Sequence, residues 1–200
     1  MPRLFLDTEF SALTQDAALL SLALVDEQGR WFYAVFTDSN WDGLSDWHQE
    51  NVVPFLLLSP TQIEQLPAAG TYLKGDRAAV KLSLSNWLSS YEQIEIWADV
   101  PAYDWVLFCE LFGGALSLPE NIHYIVRDLA TLLEMKGYNP DIDRFTFAHE
   151  STEKNENQDQ WSTSAGPARK QSVSGLVRHN ALGDALTSKA VFEKIWQVNG

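Results

Sequence analysis

The chain is short of cysteine, of cations and of long apolar runs, and each shortage removes a class of protein. With one cysteine, Cys109, it can close no intrachain disulfide. That cysteine lies in the apolar run VLFCELF. It reads as a small buried hydrophobe, because nothing nearby would lower its pKa for nucleophilic work. Lys and Arg number 14 against 27 Asp and Glu, a formal charge of −13. This argues against a broad basic face for nucleic acid, but does not exclude a nucleic-acid substrate in a small site where metal ions supply the positive charge. No apolar stretch reaches membrane-spanning length, so no membrane partner is expected. The opening MPRLFLDTEF has neither a long apolar region nor a cleavage site, so the expected location is the cytoplasm. What the chain does hold is apolar bulk: 200 residues, 46% apolar and 12% aromatic, with eight tryptophans. That is enough for one folded domain over residues 1–200 with a sizeable core.

Periodicity and turn chemistry predict strands over 3–7, 19–25 and 31–37, the last two joined by the turn DEQGR. Short connections among the three predict an antiparallel meander. The region 38–75 is read as two short helices, in WDGLSDWHQENVVPFLLL and in SPTQIEQL, with Ser59 as cap and Pro60 at the first position of the second. A helix is predicted over 76–91 and a strand over 94–98. AYDWVLFCELFG follows as a helix ended by Gly113–Gly114. HYIV, 123–126, reads as a fifth strand, and DLATLLEMKGY as a helix opened by Asp128. A polar segment at 149–175 reads as a long, mobile loop, before a last helix over 180–198 capped by Asn180. A meander followed by alternating strands and helices predicts an α/β fold, a mixed sheet flanked by helices.

The chemistry starts in LFLDTEF, residues 4–10. Leu4, Phe5 and Leu6 suit a buried strand, and the strand then runs into Asp7 and Glu9. Residues i and i+2 of a strand face the same way, so the two carboxylates repel at close range. Water, a shared proton, a basic partner or a metal ion must offset this. Hard divalent cations want several oxygen ligands, which directs attention to acids at element ends elsewhere. Two stand out: Asp104 in WADVPAYDWVLF, at a strand-to-helix passage, and Asp184 in RHNALGDALTSKAVF, in the first turns of the last helix. His179 lies just outside that helix, five residues before Asp184.

D-x-E ending a first strand, a later Asp opening a helix, and a final H-x₄-D resemble the three motifs of the DEDDh exonucleases, the DnaQ-like branch of the ribonuclease H-like superfamily. The segment IEIWADVPAYDWVLFCELFG and the run Tyr33–Val35 resemble more narrowly the mycobacterial-type 3′–5′ exoribonuclease group. The resemblance implies a ribonuclease H-like sheet and a 3′–5′ exonuclease, with RNA favoured, that releases nucleoside monophosphates. It implies that Asp7, Glu9, Asp104 and Asp184 hold two divalent ions, Mg²⁺ or Mn²⁺, and that His179 is the general base. The partner it implies is the 3′ end of single-stranded RNA or DNA, and related enzymes are often homodimers. Thr8 and Phe10, beside the acids, are expected at the substrate.

Other readings stand beside these. Asp7 and Glu9 alone could be a solvated strand end, Asp104 a helix cap, Asp184 an exposed helix acid and His179 a surface histidine. Asp99 is the rival for the third carboxylate. His48, His123 and His149 carry no motif. Phe10 could stack on a base or pack in the core, and Arg169, Lys170 and Arg178 could meet phosphates or only solvent. The stretch between Asp104 and His179 is longer than the family pattern. Its polar surplus suggests a segment that orders with His179 when metal and substrate bind. The competing functions are a catalytically inactive nucleic-acid-binding protein and a phosphatase with Asp7 as nucleophile.

Overall fold

In the computed structural model, which describes residues 1–14, 16–149 and 175–197, six strands form one sheet. The strands are β1 (Arg3–Phe10), β2 (Leu19–Asp26), β3 (Trp31–Phe36), β4 (Gly70–Gly75), β5 (Glu95–Ala98) and β6 (Arg127–Asp128), in the order β4-β3-β2-β1-β5-β6. The β1–β2 and β2–β3 pairs are antiparallel, and the β3–β4, β1–β5 and β5–β6 pairs parallel. This is the mixed sheet expected: a meander extended on both sides by parallel strands, as in a ribonuclease H-like fold. The described helices are α1 (Asp46–Asn51), α2 (Pro60–Glu64), α3 (Arg77–Leu88), α4 (Ala102–Phe112), α5 (Leu129–Met135), α6 (Arg144–His149) and α7 (Ala181–Gln197).

Every residue of β2 and β3 is buried, because helices cover both faces of the sheet. The alternation of β1 sorts its neighbours. Leu4 and Leu6 point into a core with Leu22, Leu24, Phe32 and Phe36, under Val80 and Leu84 of α3 and Leu107 and Phe108 of α4. Phe5 points the other way, onto Phe192 of α7 with ring centroids 5.3 Å apart. The opposite core adds Trp97, Leu129 of α5, Phe147 of α6, and Val191 and Ile195 of α7. The first turns of α7, through Ala181, Leu182, Ala185 and Leu186, pack beside Ala23, Tyr33 and Val35. Thr8 therefore shares the α4 face, and Asp7 and Glu9 share the α7 face.

Local chemistry accounts for the helix ends. Ser59 and Gln62 form a reciprocal capping box at α2, Asp76 caps α3, and Asp128 caps α5. Gly113, at φ 99°, takes the left-handed conformation that stops α4. Asn180 caps α7, its side-chain oxygen accepting from Gly183 N–H at 3.1 Å.

The structure departs from the sequence reading at three places. Gly70–Gly75 is a strand where the sequence pattern names no element: GTYLKG is a half-exposed edge with weak alternation, and it is recruited by β3. Gly70 lets it approach, since a Cβ there would lie 2.0 Å from the ring of Trp31. The strand expected at 123–126 is instead Arg127–Asp128, preceded by a single bridge between Ile94 and Ile122. Tyr124 and Ile125 turn out to solvent, 73% and 40% exposed, so their β-propensity finds no partner strand. Helix α6, RFTFAH, had no counterpart among the expected elements. Apart from its two end residues, the segment 149–175 lies outside the described residues, as do Arg169 and Lys170. No described helix is long and apolar enough to cross a membrane.

Candidate active site

The ends of β1 and β5 run out on the same side of the sheet, and the acids gather there. Asp7 and Glu9 leave β1 on the α7 face. The pairing of β1 with β2 slips by a residue between Glu9 and Phe10, where a bulge re-aims the departing chain. Asp104 arrives from the first turn of α4, only 9% exposed. Its Oδ1 accepts from Thr8 N–H at 2.9 Å and from Thr8 Oγ1–H at 2.7 Å. The threonine between the two β1 acids thus clamps the third acid against them. Asp184 arrives from the first turn of α7, with Oδ2 accepting from His179 N–H at 2.9 Å. His179 holds φ near 60°, on the left-handed side that few residues other than glycine adopt. Donor atoms of Glu9, His179 and Asp184 lie within 4.8 Å of one another.

The four carboxylates are all held above their ordinary range. Burial raises Asp7, and so do the neighbouring charges of Asp184, Asp104 and Glu9. Burial, Asp184 and Asp104 raise Glu9. Burial raises Asp104 against the two bonds from Thr8. Asp184 is pushed up to about 7 by burial and then by Asp104 and Asp99, against the pull of His179 N–H and Arg178. Burial and the Arg178 charge lower His179, which favours the neutral ring near pH 7. Like charges brought together in this way favour a positive charge bound among them.

A cleft of about 590 Å³ opens over the cluster. The four acids, Thr8 and His179 line it together with Phe10, Leu13, Ser45, Trp47 and His48. The structure thus brings together every residue singled out for the site. Phe10 stacks on Tyr103, centroids 5.6 Å apart, while still bordering the cleft. Asp99 stands apart from this cleft, its Oδ1 accepting from Arg144 at 2.8 Å. Arg178 pairs with Asp143 and lies over the ring of Phe145, in a second cleft that touches Asp7 and Asp184 from the far side. Sequence reasoning missed Trp47 and His48. The signal was faint: a Ser-x-x-His spacing in which Ser45 caps α1 and bonds His48 Nδ1 at 2.7 Å.

A family model described as the 3′-5′ exoribonuclease Rv2179c-like domain matches residues 2–196. The chain belongs to that family. It is 33% identical over 137 residues to the 3′-5′ exoribonuclease Rv2179c of Mycobacterium tuberculosis strain H37Rv, and this covers 68% of the chain and 76% of the relative. The 3′-5′ exoribonuclease MT2234.1 of M. tuberculosis strain CDC 1551 matches to the same extent. The Rv2179c-like exoribonucleases are enzymes of the mycobacterial-type group whose motifs the sequence resembles, and the acids of those motifs are the ones that converge here.

Proposed function

We propose that the chain is a divalent-metal-dependent 3′–5′ exoribonuclease, in which Asp7, Glu9, Asp104 and Asp184 hold two Mg²⁺ or Mn²⁺ ions and His179 is the general base. The observation that carries the reading is the convergence of four carboxylates from β1, α4 and α7 on one cleft, all held above their ordinary range, chiefly by burial. The donor set suits hard cations, since it is almost entirely carboxylate oxygen. Bound there, a cation pair would stabilise charge on the attacking and leaving oxygens of an in-line displacement.

The protein's own residues do the rest. His179, neutral because burial and Arg178 lower its pKa, accepts a proton from the attacking water as the water oxygen bonds to phosphorus. The bond from phosphorus to the 3′-oxygen of the shortened chain breaks. That oxygen leaves as a hydroxyl after taking a proton, and a nucleoside 5′-monophosphate departs. Asp184 fixes the backbone of His179, so the base and one acid move as a unit. Thr8 holds Asp104 by two bonds and so sets the spacing of the acids across the strand end. Phe10, Leu13 and Trp47 give the cleft apolar walls suited to a nucleobase, and its volume admits one nucleotide.

The test is degradation of a 5′-labelled single-stranded RNA with Mn²⁺ or with chelator. A ladder shortening from the 3′ end, with monophosphate release only when metal is present, is expected. Metal-independent hydrolysis, or an aspartyl-phosphate trapped on Asp7, would replace this reading with another.

A further inference from the structure

Helix α1 is only six residues long, yet it reaches the site at two points. His48 Nε2 lies 3.1 Å from the carbonyl oxygen of Phe10, one residue past Glu9. A carbonyl can only accept, so Nε2 carries the hydrogen. Nδ1 is then the acceptor for the hydroxyl of Ser45, the N-cap of the same helix. The imidazole thereby latches α1 to the end of β1. Its neighbour Trp47 is 50% exposed and lines the cleft. The indole meets the His48 ring edge-on, centroids 5.2 Å apart at 90°. It also meets the His179 ring edge-on, centroids 5.0 Å apart at 76°.

His179 needs such a neighbour. It precedes α7 in a left-handed conformation, and its backbone is fixed by Asp184, but neither feature restrains the side chain. An imidazole free to rotate would spend much of its time away from the attacking water, and a misplacement of about 1 Å costs on the order of 10²-fold in rate. We propose that Trp47 is a positioning residue for His179: the indole, seated by the latch from His48 to Phe10, holds the imidazole over the carboxylates. The inference rests on His179 being the base, and it deepens that assignment. The latch ties the base to the strand that carries Asp7 and Glu9, so the base and the acids keep register although Phe10 and His179 lie far apart in sequence.

The experiment is a double-mutant cycle on single-turnover cleavage of a 5′-labelled single-stranded RNA with Mn²⁺, using wild type, Trp47→Ala, His179→Ala and the double variant. KM is measured alongside, and melting temperatures confirm folding. Trp47→Ala is expected to lower the saturated rate about 10- to 100-fold, within the cost of a misplaced base, with KM changed less than about twofold. In the His179→Ala background the same substitution should change the rate less than about twofold, because the residue acts through the histidine. Trp47→Phe, which keeps an aromatic edge at this position, should recover most of the rate. Equal losses from Trp47→Ala in both backgrounds would overturn the positioning role alone, as would a rise in KM with the saturated rate intact. The latter result would make the indole a platform for the terminal base. A wild-type rate in His179→Ala would overturn the base assignment and this inference together.

Discussion

Replacing Asp184 with asparagine should stabilise the metal-free protein while destroying its activity. The carboxyl of Asp184 is pushed from an ordinary 3.8 to about 7, chiefly by burial and then by Asp104 and Asp99. Its folded-state pKa thus lies above its unfolded value. The associated stability is fully present below about pH 4 and is lost as the pH rises through about 7. At about 1.4 kcal/mol for each pKa unit, the ionised form costs up to about 4 kcal/mol. The side chain keeps some solvent exposure, and screening cuts this to about 2 kcal/mol. For a domain of this size that corresponds to roughly 4–8 °C in melting temperature. Asparagine has the same shape, carries no charge and keeps an oxygen for His179 N–H. The assay is thermal unfolding with chelator from pH 5 to 8.5. Asp184→Asn should melt above wild type at pH 8, with the gap narrowing toward pH 5. Added Mn²⁺ should then raise wild type and leave the variant nearly unmoved. A variant no more stable than wild type at pH 8 would refute the claim that the ionised carboxylate of Asp184 is uncompensated without metal.

Asp7→Asn and Asp104→Asn should each abolish metal-dependent cleavage, read by monophosphate release, because each removes a carboxylate from the shared cluster. His179→Ala should keep the Mn²⁺-induced rise in melting temperature and lose on the order of 10²–10⁴-fold in rate. Thr8→Val deletes the hydroxyl bonded to Asp104 while leaving the N–H bond. A hydrogen bond to a charged group contributes roughly 1.5–3 kcal/mol, so Mn²⁺ affinity should weaken about tenfold or more in a calorimetric titration. A change confined to the KM for RNA would instead make Thr8 a substrate contact. Cys109 is 5% exposed and its thiol is pushed up to about 11, first by burial and then by Glu110. It should therefore resist a thiol reagent at pH 8 until denaturant opens the fold.

The meander was legible because Leu4–Leu6, LLSLALV and WFYAVF are apolar enough to be strands whatever surrounds them. The acids were legible because each sits where a local rule places it: Asp7 and Glu9 two apart on a strand, Asp104 and Asp184 in first helical turns. Choosing Asp104 over Asp99 rested on the family resemblance, and in the structure the two have different partners. Thr8 clamps Asp104 into the cluster, whereas Arg144 takes Asp99. Strand β4 was hidden because its signal lies in β3: Gly70 counts as a strand residue only once the ring of Trp31 lies across it. The strand near 123–126 was misplaced because β-propensity says nothing of where a partner ends. Trp47 was passed over and His48 set aside because their roles consist of contacts with Phe10 and His179, remote in sequence and barely marked in any local pattern.

The most direct test of the account is a crystal of the protein soaked with Mn²⁺ and a nucleoside 5′-monophosphate, with anomalous scattering measured at the manganese edge. Two peaks are expected among the carboxylates of Asp7, Glu9, Asp104 and Asp184, with the nucleotide phosphate against them. Manganese bound elsewhere, or bound by the β1 acids without Asp104 and Asp184, would contradict it.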